Sequence, residues 1–195
     1  MVKLNKIYTR TGDSGEMGLA DGSRIAKEHP LAHAIGDVDE ANSAIGVALV
    51  HIEDEQARAM LKSVQNELFD LGADIATPAE DFTPSEMTLR IVQPQIDRLE
   101  REIDRMNDDL QPLTSFILPG GSAGVANLHL ARAIVRRAER STVEASRHVP
   151  LNPLARIYLN RLSDHLFVLA RHIAAGEGGD VLWQPGATRG DTPQG

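Results

Sequence analysis

Residues 116–140, FILPGGSAGVANLHLARAIVRRAER, open on an apolar turn ending in Pro119, Gly120 and Gly121 and run on into a segment with four arginines. At about 100° per residue, Ala131, Ile134, Val135 and Ala138 share one face of a helix. Arg132, Arg136 and Arg140 recur at four-residue spacing on another face, with Glu139 beside them. The pattern predicts a helix over residues 122–147 that buries its apolar side and presents a cationic one. What those arginines meet is the question the sequence poses.

Outward from this segment the same periodicity recurs. Leu31, Ala34, Ile35, Val38, Ala41, Ile45 and Leu49 predict a helix over residues 30–52, with Pro30 suited to its first turn. Leu61, Val64, Leu68, Leu71 and Ile75 predict a second over residues 54–76, ended by Thr77-Pro78. Ile96, Leu99, Ile103 and Met106 predict a third from Gln93, with Pro94 in its first turn. The last, over residues 152–175, buries Leu159, Leu162, Leu166, Leu169 and Ile173 and lines a polar stripe with Arg156, Asn160, Asp164 and Arg171. The TPAEDFTPSEMT segment between helices two and three reads as a loop in which Thr83, Pro84 and Glu86 can start a capped turn. The whole is expected to be a single all-α domain over residues 1–195: an irregular arm (1–28), a five-helix bundle (29–176) and a Gly- and Pro-rich tail (177–195).

Composition narrows the chemistry. Acidic side chains outnumber basic ones, 28 to 20, for a net charge of -8, so no broad basic surface for nucleic acid is expected and any anion site is local. The absence of cysteine excludes disulfides, thiolate metal sites and a cysteine nucleophile. No apolar run approaches a membrane span and the N-terminus lacks an apolar leader core, so a cytoplasmic protein is expected. The seven histidines show no metal-binding spacing, and no Glu-x-x-His pair, HExxH or GxSxG motif is present.

The arginine stripe allows two readings. One is a solvated face laced with surface ion pairs, each contributing ~0 to 1 kcal/mol. The other is an anion site, because the stripe is predominantly arginine and guanidinium forks suit polyphosphates or buried carboxylates. Asp39, beside the apolar face of the first helix, is either a surface carboxylate or the buried partner of such an arginine. The arm TRTGDSGEMGLADGSR resembles a phosphate-cradling loop in which glycines let N–H groups converge and Thr9, Arg10, Thr11 and Lys27 add donors, although it lacks the GxxxxGK[ST] pattern. Phe116, held between Pro112 and the Pro-Gly-Gly turn, serves either a ligand or the core. Trp183 either packs on the bundle or closes over a ligand.

Taken together, IYTRTGDSG (7–15), Lys27, GDVDEANSAIG (36–46), FILPGG (116–121), LHLARAIVRRAER (128–140) and YLNRLSDHLFVLAR (158–171) resemble the PduO-type ATP:cob(I)alamin adenosyltransferases across nearly the whole chain. Two positions depart from that family's usual pattern: Met17 stands where threonine is usual, and Ala41 where leucine is.

The resemblance implies a homotrimer with active sites between subunits, and transfer of the 5'-deoxyadenosyl group of ATP to cobalt. It implies that Thr9, Arg10, Thr11, Gly12, Asp13, Gly15 and Lys27 of the arm hold ATP together with Glu139, Arg140 and Asn160. Arg132 would pair with Asp39, and Arg136 would contact the triphosphate. Mg2+ would be held by the ATP phosphates rather than by a protein metal site. Cob(II)alamin, reduced to cob(I)alamin, would lie against Phe116, which excludes a lower axial ligand. A flavin reductase and a B12-dependent enzyme are the implied partner classes. A module that binds nucleotide or corrinoid without catalysis, as a sensor or delivery protein, is the competing class, and Met17 is the residue that speaks for it. A plain helical scaffold leaves the arm and the stripe unexplained.

Overall fold

A computed structural model describes residues 8–86 and 88–189. The first seven residues of the arm, Met87 and the last six of the tail lie outside the described residues. Five helices form: α1 (Pro30–Val50), α2 (Glu55–Ile75), α3 (Gln93–Asp108), α4 (Ala123–Ala145) and α5 (Pro153–Ala175).

Their ends follow from local chemistry. Asp54 caps α2 by accepting from Ala57 N, Ser122 caps α4 through Val125 N, and Asn152 caps α5 through Leu154 N, each supplying an acceptor to an N–H that the first turn leaves open. His29 does the same for α1 through Nδ1, ahead of Pro30. At α3 the Gln95 side chain accepts from Val92 N while Pro94 occupies the first turn.

α4 lies between α1 and α5, α1 reaches across to α2, and α5 reaches across to α3. Leu31, Val38 and Ile45 of α1, Leu61 and Leu68 of α2, Leu128 and Val135 of α4, and Leu159, Leu162 and Leu166 of α5 join in one core. Ile103 and Ile173, expected in the buried stripes, are only partly buried and pack against its margin. Gly124 marks the closest approach: a Cβ there would sit 2.9 Å from His51 O, so only glycine lets α4 begin against the end of α1.

Two polar clusters tie the bundle internally. Asp74 of α2, 1% exposed, accepts from Arg90 Nη1 at 2.7 Å, from Ile91 N at 2.8 Å and from Asn152 Nδ2 at 2.7 Å, joining α2, the segment before α3 and the cap of α5. Arg98 of α3 bridges Glu67 and Glu102, Tyr158 donates to Glu67 at 2.7 Å, and His165 meets Glu102 at 2.8 Å. Burial, then the Glu67 charge, pushes the Tyr158 phenol well above its ordinary pKa, so it stays a donor.

The arm departs from the irregular conformation expected of it. β1 (Glu16–Gly18) and β2 (Arg24–Ala26) pair antiparallel, with Met17 opposite Ile25. Three-residue strands around a Leu19–Ser23 turn are too short to announce themselves by alternation. In the 77–92 loop, Asp81 rather than Thr83 organises the turn, accepting from both the N–H and the hydroxyl of Thr83.

Candidate functional site

The cationic face of α4 divides in two. Arg132 points its guanidinium over the Phe167 ring of α5, 5.7 Å from the centroid, and its buried Nε has no acceptor among the described residues. Burial, then the charge of Arg136, pulls the Arg132 pKa down from its ordinary value. Arg136 is exposed, and no ion pair among the described residues engages its side chain. Arg140 folds back to donate to the Arg136 carbonyl at 3.0 Å. Glu139 accepts from Asn160 Nδ2 of α5 at 3.0 Å, so these two expected site residues do meet across the α4–α5 cleft. Neither Arg132 nor Arg136 meets a carboxylate among the described residues, and two neighbouring guanidiniums of this kind are suited to an anion.

Arg132 also lines a cavity of about 550 Å³ with Leu113, Thr114, Ser115, Phe116, Ile117 and Phe167. Phe116 is 77% exposed at its mouth, which removes it from the core. The tail reaches this loop. Leu118 N donates to Val181 O at 2.8 Å, Trp183 N to Phe116 O at 2.7 Å, and Ser115 Oγ to Trp183 O at 2.8 Å, placing Ile117 opposite Leu182 in an antiparallel bridge. The rings of Phe116 and Trp183 lie 6.0 Å apart, centre to centre. Trp183 therefore packs on the cavity loop. His129, behind Phe167, is buried with Nδ1 lacking a partner among the described residues. Burial and the Arg132 charge lower its pKa and favour the neutral ring.

The arm is anchored on another side of the bundle, where Ala20 N donates to Ala76 O at the end of α2. Its first turn is closed from behind: Lys27 Nζ donates to Gly12 O at 2.9 Å, and Arg24 Nη2 to Thr11 O at 2.6 Å. The hydroxyls of Thr9 and Thr11 share a hydrogen bond of 2.8 Å, and Arg10 adopts a left-handed φ of 62° with its guanidinium over Tyr8. Asp13 N and Gly15 N donate within this turn, to Arg10 O and Gly12 O, and Gly15 takes a positive φ of 86° that glycine permits. Met17 turns into an apolar groove of about 410 Å³ between α1 and α2, shared with Gly36, Asp39, Phe69 and Gly72.

Within one chain, the expected pairing of Asp39 with Arg132 does not form. Asp39 is exposed on the α2 side of α1, whereas Arg132 lies at the α4–α5 side. The carboxylate that α4 engages is Asp37, which Arg137 Nε meets at 3.1 Å and Ser141 donates to, while Arg137 also bridges to Glu40. Arg137 stood outside the stripe of four-residue spacing, so periodicity did not single it out. The polar stripe of α5 likewise splits: Asp164 pairs with Arg161 toward Glu100 of α3, and Arg171 is buried against Asp180 of the tail. Among the described residues, no group of three His, Asp or Glu side chains is placed to hold a metal ion. No helix among them is long and apolar enough to cross a membrane.

The fold is a five-helix bundle in which α4 sets two neighbouring guanidiniums, one of them on the wall of a cavity that Phe116 and Phe167 also line. The family profile described as cobalamin adenosyltransferase matches residues 7–173, and the chain belongs to that family. It is 50% identical over 190 residues to the corrinoid adenosyltransferase of Mycobacterium leprae, covering 95% of this chain and 98% of that one. It is 51% identical over 191 residues to that of Mycobacterium tuberculosis, covering 96% and 97%. A PduO-type ATP:corrinoid adenosyltransferase from Lactobacillus reuteri, a phenylalanine-to-alanine variant complexed with cobalamin and ATP, superposes with a TM-score of 0.84 at 37% identity, covering 92% of this chain and 99% of that one.

Proposed function

We propose that this chain transfers the 5'-deoxyadenosyl group of ATP to the cobalt of cob(I)alamin, giving adenosylcobalamin and triphosphate. The observation that carries this reading is the Arg132–Arg136 pair, two cations that meet no carboxylate among the described residues, beside a cavity whose mouth is an exposed phenylalanine. Reduced cobalt is itself the nucleophile, so no serine, cysteine or general base is required. The Co–C bond forms as the C5'–O bond breaks, and the electron pair leaves with the triphosphate. Arg136 stabilises that developing charge, and Mg2+ enters with the ATP phosphates.

Phe116 supplies the other half. An apolar ring on the lower face of the corrin excludes water and the lower ligand, leaving four-coordinate Co(II), which is more readily reduced to Co(I). An electron donor such as a flavin reductase precedes this step, and a B12-dependent enzyme consumes the product in the cytoplasm.

The site is assembled between subunits of a homotrimer. The phosphate-cradling turn at Thr9, Arg10, Thr11, Gly12, Asp13, Gly15 and Lys27 is anchored near α2, while the arginines face the α4–α5 side. A neighbouring subunit brings the two together, and the groove beside Asp39, with Phe69 72% exposed on its edge, is the apolar surface it covers. Glu139, Arg140 and Asn160 complete the nucleotide site. A binding module without catalysis is not favoured, because Met17 lies in the α1–α2 groove and leaves the arginines untouched.

The test is formation of adenosylcobalamin from chemically prepared cob(I)alamin and MgATP, followed at the cobalt absorbance bands. Binding of both substrates without turnover would leave only the module, and no binding would leave a scaffold.

A further inference from the structure

Arg171 is 7% exposed, yet the proposed chemistry gives it no part. Its Nε donates to Asp180 Oδ2 of the tail at 2.9 Å, and its Nη2 donates to the Gln111 carbonyl at 2.9 Å. One guanidinium thus binds the two chain segments that pair in front of the cavity, at the point where they leave the bundle. We propose that Arg171 is a positioning residue for Phe116, acting through this double grip on the tail and the cavity loop. The inference rests on the reading of Phe116 given above.

The physical need is plain from the loop. Phe116 is mostly exposed, so its ring is held less by packing than by its backbone, which is fixed through Trp183 N, Val181 O and the Ser115 hydroxyl. A two-stranded ribbon this short is marginal in water by itself. It persists when its ends are held, and Arg171 holds both: Gln111 stands shortly before Phe116 in the loop, and Asp180 shortly before Val181 in the tail. The rigid fork matters, because a lysine ammonium gathers its donors on one nitrogen, whereas Arg171 reaches Asp180 through Nε and the Gln111 carbonyl through Nη2. The buried charge is compensated by Asp180, whose side chain is 16% exposed, so the ion pair is shielded rather than solvated.

Three full-length variants test this: Arg171→Lys, Asp180→Asn and, as reference, Phe116→Ala. Asp180→Asn keeps α5 intact and serves if the buried Arg171 position proves intolerant. Two quantities are read: amide exchange at Leu118 and Trp183, and the fraction of four-coordinate Co(II) in protein loaded with cob(II)alamin and MgATP, by electron paramagnetic resonance.

The expected result is faster exchange at both amides, a four-coordinate fraction reduced toward that of Phe116→Ala, and unchanged ATP affinity. Turnover starting from Co(II) should fall more than turnover from chemically prepared Co(I), and Asp180→Glu should restore part of the loss. Wild-type exchange and a wild-type four-coordinate fraction in folded Arg171→Lys and Asp180→Asn overturn the proposal, even if Phe116→Ala behaves as expected. If Phe116→Ala leaves the four-coordinate fraction unchanged, the reading of Phe116 fails instead. The grip is then decided by amide exchange alone, with faster exchange sustaining it and unchanged exchange overturning it.

Discussion

Arg137 of α4 holds Asp37 of α1 at 3.1 Å, and that pair occupies the seam between the two helices. Asp39, two residues on, is turned by about 200° around α1 and faces the groove beside α2. An Asp39–Arg132 pair can therefore form only across the subunit contact proposed above. Asp39→Asn and Arg132→Gln chains, each inactive alone, should regain activity when co-assembled, since some interfaces then carry both native residues. Mixed assemblies no more active than either parent would show that the pair does not bridge subunits.

Arg136→Ala should keep the fold and the oligomer, because its side chain enters no ion pair among the described residues. Turnover should fall by about 10²-fold or more, the scale seen when a donor to developing charge is removed. Near-normal turnover at saturating ATP would take Arg136 out of the mechanism.

Asp74 answers to stability rather than catalysis. Asp74→Ala leaves Arg90 buried with its charge uncompensated and Ile91 N without an acceptor, at a cost of about 3–5 kcal/mol. Denaturant unfolding should show the loss as a lower midpoint at unchanged slope. A loss under about 1 kcal/mol would mean that the cluster relaxes to satisfy itself.

Acid should loosen the bundle at the α3–α5 seam. Burial raises the Glu102 pKa, but the bonds from His165 and Arg98 more than reverse this and leave it below its ordinary 4.5. A carboxylate with a depressed folded pKa contributes fully above the ordinary value, and that contribution drains away as pH falls through the lower folded one. Glu102→Gln should be less stable than the parent at neutral pH, with the gap narrowing below about 4.5. A gap independent of pH would remove Glu102 from the acid response.

Amide exchange should rise only modestly in the arm without nucleotide, since Lys27 and Arg24 already close the 9–15 turn from behind. MgATP should slow exchange at Asp13 and Gly15 further, their N–H groups lying in that turn. Equal protection with and without MgATP would count against the arm as a phosphate cradle.

The helices were legible in the sequence because a buried stripe repeats over about four to six turns, and Asp54, Ser122 and Asn152 announce three of the starts as side-chain caps. The hairpin at Met17 and Ile25 was not, because three-residue strands are fixed by their turn and by docking near α2. Among site residues, Glu139 and Asn160 meet where the sequence shows polar stripes on two consecutive helices that can face a common cleft. That Asp37 rather than Asp39 meets α4 within the chain was not legible, since the two are equally acidic and only the packing angle of α1 on α4 decides which one faces Arg137. Arg171 looked like one more polar-stripe residue, because its partners come from segments without periodicity.

The Arg171–Asp180 contact spans only nine residues of chain. Closing so short a loop costs little entropy, and a released tail finds its partner again on a timescale of about 10–100 ns. The tail thus behaves as a ligand carried on its own leash, at an effective concentration on the order of millimolar. A free peptide of the same sequence can displace it only at comparable concentration.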